Sequence, residues 1–190
     1  MTSEFVVYSD GKIRCPWANP KNPLYIKYHD EEWGIPVHDD QKLFELLILE
    51  SFQAGLSWEC VLNKRQAFRE AFDNFDINTI CNYDQAKVQQ LLRNPGIIRN
   101  ERKIRATITN ANVFSQIQLE YGSFSTYLWS WTSGAILHEF GPTSSTLSDR
   151  ISADLKARGM KFVGTTIIYS FLQAVGVIFA HCPTCFLSCQ

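Results

Sequence analysis

After Asp154 the chain holds no acidic side chain: Leu155 to Gln190 carry bases, hydroxyls, thiols and His181, but neither Asp nor Glu. Any carboxyl group that does chemistry must come from earlier in the sequence. No apolar run reaches the roughly 18 residues that a helical membrane span requires. The opening residues, MTSEFVVYSDGK, have acids where a secretory signal would have an apolar stretch. The expectation is a cytoplasmic protein with no membrane contact. Internal repeats and low-complexity tracts are also missing, which argues against a solenoid. What is present is 190 residues, 45% hydrophobic and 13% aromatic, a size and composition suited to one well-buried domain over 1–190 with room for two helical lobes.

Net charge is nearly absent as well, at −1, which taken alone argues against a polyanionic partner. The distribution reverses that argument. Residues 1–86 carry 14 acids and 8 bases, whereas 87–190 carry 5 acids and 10 bases. Two basic clusters produce the asymmetry: Arg93, Arg99, Arg102, Lys103 and Arg105, then Arg150, Lys156, Arg158 and Lys161. Paired clusters of this kind are the footprint of phosphate binding, although each alone also fits a solvated helix face.

Alternating apolar and polar runs are scarce, and apolar residues recur at three and four positions nearly everywhere after residue 39, so the fold class is all-α. The spacing predicts helices at 40–53, capped by Asp39, and at 58–71, 84–93, 99–116, 123–131, 148–158 and 165–179. Breaks fall at Gly55, Asn94-Pro95-Gly96, Gly134, Gly141-Pro142 and Gly159. The segment RGMKFVGTT, 158–166, joins two amphipathic helices by a short turn. A helix opening at Thr165 and Thr166 beside Lys161 presents free backbone N–H groups and positive charge to a phosphate, or is a plain packing corner.

In DQKLFELLILESFQAG, Leu43, Leu46, Leu47 and Glu50 fall on one helix face, which puts a carboxylate where an apolar residue belongs. A buried carboxylate persists only with partners, and a ligand is one such partner. Glu45 lies on the opposite side and reads as solvated. Trp17, Tyr25, Tyr28, Trp33, Phe52 and Trp58 crowd the same stretch of sequence. Rings for stacking and one carboxylate for an edge suit a flat, amine-bearing or cationic heterocycle.

In a reducing compartment six cysteines are poor candidates for disulfides. Cys15 and His29 near one end, with His181 and Cys185 near the other, are ligand types that zinc favours. Spacing alone leaves this set open between a metal clip and buried apolar thiols.

The sequence resembles the 3-methyladenine DNA glycosylase I (Tag) family, over almost its whole length. The matching stretches are CPW at 15–17, NPLYIKYHDEEWGIPVHDDQKLFELLILESFQAGLSW at 22–58, GIIRNERKIRATITNA at 96–111 and RGMKFVGTTIIYSFLQAVG at 158–176, followed by His181 and Cys185. This resemblance implies a helix-hairpin-helix DNA glycosylase fold with the hairpin unit at about 148–179. It implies that Lys161, Gly164, Thr165 and Thr166 grip the DNA backbone. It implies one structural zinc on Cys15, His29, His181 and Cys185 that joins the N- and C-terminal segments. Cys182 departs from the pattern and offers an alternative to Cys185, with Cys189 weaker. The implied base pocket comprises Glu50, Tyr28 and Trp58, lined by Trp17 and Tyr25, and Leu56 and Ser57 match the loop that fills the gap left by a flipped nucleotide.

The activity so implied is that of a monofunctional enzyme of base excision repair. It excises N3-methyladenine from double-stranded DNA hydrolytically and leaves an abasic site, acting as a monomer, with Glu50 as the principal chemical residue. No lysine stands in the hairpin where bifunctional relatives carry one, and the aspartate that other superfamily members place after it is missing. The rival readings are a non-catalytic DNA-binding module, which does not account for Glu50, and a catalytic zinc hydrolase, which four protein ligands leave without an open position.

Overall fold

The computed structural model describes residues 8–188. Its helices are α1 (Pro23–Glu31), α2 (Asp40–Gln53), α3 (Trp58–Leu62), α4 (Arg65–Ala71), α5 (Ile77–Cys81), α6 (Gln85–Arg93), α7 (Glu101–Tyr121), α8 (Phe124–Ser130), α9 (Thr146–Ala157) and α10 (Thr165–Ala174). A 3-10 turn at Asp73–Phe75 follows α4. Two short strands, β1 (Leu137–His138) and β2 (Ile178–Phe179), pair in parallel with Leu137 opposite Ile178. No helix is long and apolar enough to cross a membrane among the described residues.

At the centre is α2, buried from Leu43 through Phe52 and packed against α3, α7, α8 and α10. Asp39 caps it, accepting from the Lys42 amide at 2.8 Å. Its first residue, Asp40, caps another helix: the carboxylate accepts from the Phe124 and Ser125 amides, both at 2.8 Å, at the start of α8. One short acidic pair thereby fixes the entry of two helices. Around α2 the core is strongly aromatic, with Phe44, Phe114 and Phe124 on one side and Phe52, Phe68 and Phe72 on the other.

The structure departs from periodicity in several places. Helix α1 precedes residue 39, where no helix is expected from spacing. It is short and weakly amphipathic, and Asn22 starts it by accepting from the Leu24 and Tyr25 amides, with Pro23 in the first turn. The expected helix 58–71 is two helices, because the chain turns at Asn63 and Lys64. Helix α5 and the paired strands are further additions, and α7 runs on to Tyr121, where Gly122 at φ 83 ends it.

Helix α10 ends at Ala174, not 179. Gly176 stops it at φ 73, and a Cβ there would come within 2.4 Å of the Ile35 carbonyl carbon and the Pro36 nitrogen. The chain then passes into β2 and on to His181, whose ring lies 4.9 Å from that of His29 on α1. Gly176→Ala combines an unfavourable φ with backbone overlap, so it is expected to cost about 2–3 kcal/mol and lower the melting temperature by roughly 5–10 °C. Thermal unfolding measures this directly, and an unchanged midpoint would contradict the close approach.

Candidate active site and metal centre

Helix α1 carries Tyr25, Tyr28 and His29, and α3 carries Trp58; a polar clamp holds the two helices together. Glu59 accepts from the side-chain amides of Asn19 at 2.9 Å and Asn22 at 2.7 Å, and Asn22 also reaches Asn63 at 2.9 Å. At the other end of α1, Glu32 binds Lys42 and Arg65, both at 2.8 Å. Arg65 also binds Glu45 at 2.6 Å, and Arg69 joins at 2.8 Å. Glu45 is therefore buried and paired, a correction to its expected solvation. Its two arginines lie about twenty residues downstream, beyond the reach of helical periodicity.

Between these helices and α10 lies a cleft of about 160 Å³, lined by Trp17, Tyr25, Tyr28, Trp33, Glu50, Gln53, Trp58, Ser170 and Gln173. All five pocket residues expected from the sequence therefore meet in one place. Trp33, Gln53, Ser170 and Gln173 were not among them. Trp33 was visible as one more ring in an aromatic stretch, whereas Ser170 and Gln173 arrive from α10, with no local signal. Tyr28 and Trp58 are deep and 5.2 Å apart between ring centroids, while Trp17 and Tyr25 form the rim at 5.3 Å.

Glu50 is 3% exposed, and its Oε2 has no hydrogen-bond partner among the described residues. The indole Nε1 of Trp58 is likewise unpartnered. Burial alone pushes the Glu50 carboxyl up to about 8, since no cation faces it. The same burial, with Glu50 nearby, raises the Tyr28 phenol. A buried acceptor without a donor is costly, and a ring bearing N–H groups or positive charge resolves that cost.

Adjacent to this cleft, Cys15, His29, His181 and Cys185 converge, all buried, with their ligand atoms within 4.8 Å of one another. Cys15 Sγ lies 3.6 Å from His181 Nδ1, and Cys185 Sγ lies 3.5 Å from His181 Nδ1 and 3.6 Å from His29 Nε2. Tetrahedral bonds of about 2.05 Å to nitrogen and 2.3 Å to sulfur give an N···S edge of roughly 3.5–3.6 Å, so this donor set fits a four-coordinate metal. The outer nitrogens are also engaged. His29 Nδ1 meets Asp30 Oδ1 at 2.8 Å, and His181 Nε2 meets the Trp33 carbonyl at 3.2 Å, which leaves the inner nitrogens as acceptors. Arg14 in turn holds Asp30 at 2.6 Å.

Cys182 Sγ turns instead to the Thr184 hydroxyl, at 3.6 Å, and Cys189 lies outside the described residues. Burial raises the Cys15 and Cys185 thiols and lowers His181 to about 4, so the imidazole is held in the neutral form that binds a metal, while the thiols would have to give up a proton to do so. All four donors come from the chain, two from each end segment, a set that would leave a four-coordinate metal no open position.

Leu56 and Ser57 occupy the loop between α2 and α3, in sequence between the cleft-lining residues Gln53 and Trp58. Gly55 takes φ 81, Leu56 is 43% exposed and Ser57 caps α3. Lys161 and Thr166 are exposed, and Gly164 and Thr165 are half-buried at the start of α10. Gly164 offers no side-chain cap, so the first amides of α10 stay open. Thr165 is partly committed, since its hydroxyl meets Ser148 at 2.8 Å.

Fold and cleft define a helical protein with an aromatic cleft built around a buried, unpartnered carboxylate, an arrangement suited to a flat, electron-poor ring. A family model described as methyladenine glycosylase matches residues 17–188. DNA-3-methyladenine glycosylase 1 of Escherichia coli (strain K12) is 44% identical over 179 residues, which cover 90% of this chain and 95% of that protein. A crystal structure of 3-methyladenine DNA glycosylase I superposes with TM-score 0.87 at 45% identity, covering 91% of this chain and 98% of its own. The Staphylococcus aureus enzyme, solved for the structural basis of 3-methyladenine recognition, gives TM-score 0.87 at 35% identity, covering 91% and 95%. The chain belongs to the methyladenine glycosylase family.

Proposed function

We propose that this protein is a monofunctional DNA glycosylase that excises N3-methyladenine from double-stranded DNA in base excision repair. The observation that carries this reading is Glu50, desolvated at the floor of an aromatic cleft with an unpartnered oxygen. Methylation at N3 gives the purine a positive charge. As the bond between the base and C1′ breaks, that charge passes to the sugar, the base departs neutral without a general acid, and water adds at C1′ and releases a proton to solvent, leaving an abasic site. The protein's share is to flip the nucleotide, select the base and hold it.

Tyr28 and Trp58 stack on the ring while Trp17 and Tyr25 close its rim, and cation–π attraction contributes about 0.5–2 kcal/mol per ring. Glu50 accepts from the donors on the adenine edge and favours the charged base; unmethylated adenine lacks the charge and is rejected. Leu56 and Ser57 fill the space the nucleotide leaves. The turn between α9 and α10 acts as a helix-hairpin-helix element, with Lys161, Gly164, Thr165 and Thr166 against the phosphates. Cys15, His29, His181 and Cys185 hold one structural zinc, which supplies a fixed crosslink between the chain's two end segments. The protein acts as a cytoplasmic monomer.

Incubation with methylated duplex DNA and chromatography of the released bases tests the activity. Free 3-methyladenine is expected, with strands that stay intact until alkali is added. Absence of any released base refutes the reading, and immediate strand cleavage refutes its monofunctional part.

A further inference from the structure

Helix α7 passes behind both loops assigned to DNA. Lys103, in its first turn, is only 7% exposed, and no carboxylate pairs with it among the described residues. Its ammonium donates to the carbonyls of Phe52 at 2.8 Å and Ala54 at 2.7 Å, the end of α2 immediately before Gly55 and Leu56. The same Nζ lies 5.8 Å from the ring centroid of Phe162, a residue of the other loop held at φ 55. Two turns further along, the fully buried Asn110 donates to the Lys161 carbonyl at 2.9 Å and accepts from the Lys161 amide at 2.8 Å.

Lys103 and Asn110 are seven residues apart, so they share one helix face about 10 Å from each other. One rigid helix therefore grips the loop bearing Leu56 with one side chain and the loop bearing Lys161 with the other. Burying an ammonium without an anion is expensive, and methionine would fill the same volume at no such cost. What the cation adds is three directed donors, and positive charge at the C-terminal end of α2 is favourable.

We propose that α7 is the spacer that sets the Leu56 loop against the Lys161 loop, with Lys103 and Asn110 as positioning residues for extracting the damaged nucleotide. This rests on the glycosylase reading above. Neither residue lines the base cleft, so their loss separates two quantities that a general loss of structure would lower together. In the full-length protein, Lys103→Met is expected to bind free 3-methyladenine, read by tryptophan fluorescence, within twofold of wild type. Its single-turnover excision from methylated duplex DNA should fall at least tenfold. Lys103→Arg, which still reaches carbonyls with several donors, should recover excision to within threefold of wild type.

Excision by Lys103→Met within threefold of wild type overturns the proposal, and so does a parallel fall in free-base binding. If Lys103→Met does not fold, Asn110→Ser is judged by the same two measurements and the same thresholds. Wild-type protein that releases no base refutes the glycosylase reading and this proposal with it, an outcome distinct from an active wild type with an unaffected variant.

Discussion

Glu50→Gln is expected to lower excision of 3-methyladenine by about 100-fold or more while making the folded protein more stable. Both effects have one cause. The carboxyl is buried with no cation beside it, which lifts it from its ordinary range to about 8. An acid raised in the folded state binds more protons there than in the unfolded chain, so wild-type stability falls as pH rises from the ordinary glutamate range through about 8 and levels off above that. Glutamine removes the titration. The melting temperatures of variant and wild type should therefore lie close together near pH 5 and separate toward pH 9, with the variant higher by roughly 3–10 °C, or about 1–3 kcal/mol.

Excision moves the other way, because Gln offers a weaker acceptor and no negative charge to a cationic base. Losing one preorganised electrostatic contact in a water-poor site costs about 3–4 kcal/mol. For wild type, kcat/KM should climb as pH approaches about 8 and the free carboxyl ionises; the glutamine variant should show no such rise. Calorimetry and single-turnover rates at a series of pH values test the pair. A variant that is no more stable at pH 9, or that excises like wild type, removes Glu50 from the role assigned to it.

Glu50 was legible in the sequence because it interrupts an apolar stripe on a long, regular helix, and burial at that position follows from periodicity alone. The companion Glu45 was not, since its burial depends on Arg65 and Arg69, which only the tertiary fold brings near. Helix α1 escaped for a related reason: nine residues with little amphipathic character are held by the Asn22 and Glu32 contacts at their ends more than by an apolar face. The turn at Asn63 and the end of α10 at Gly176 are set by what those backbones meet. Gly176 was nonetheless visible as a glycine in an otherwise unbroken run. The tyrosines and tryptophans could be gathered by composition, but Ser170 and Gln173 could not, because α10 reaches the cleft from a segment more than a hundred residues away. Spacing left the Cys and His set undecided; only its resemblance to a family, and then the convergence of four buried donors, argued for a metal.

Removing the proposed zinc is expected to have the second large effect, and to act through Trp33. His181 donates from Nε2 to the Trp33 carbonyl at 3.2 Å, and the Trp33 ring lines the cleft. Trp17, two residues past Cys15, packs 4.8 Å from Trp33 and 5.1 Å from the His29 ring. Cys15→Ala leaves three ligands and unties the segment that carries Trp17. It should reduce zinc from one per chain to a small fraction and lower the melting temperature by roughly 10–15 °C, a loss of about 3–5 kcal/mol. Because Trp17 and Trp33 wall the cleft while Glu50 supplies its carboxylate, the activity that survives should show a raised KM, about fivefold or more, with kcat changed less. Cys182→Ala is the matched control: its sulfur points to Thr184, so zinc content and melting temperature should stay near wild type. Elemental analysis with thermal unfolding distinguishes the outcomes. A Cys15→Ala protein that keeps a full zinc complement, or a wild type that is metal-free and equally stable, would show that these four residues are buried thiols and imidazoles without a metal to join them.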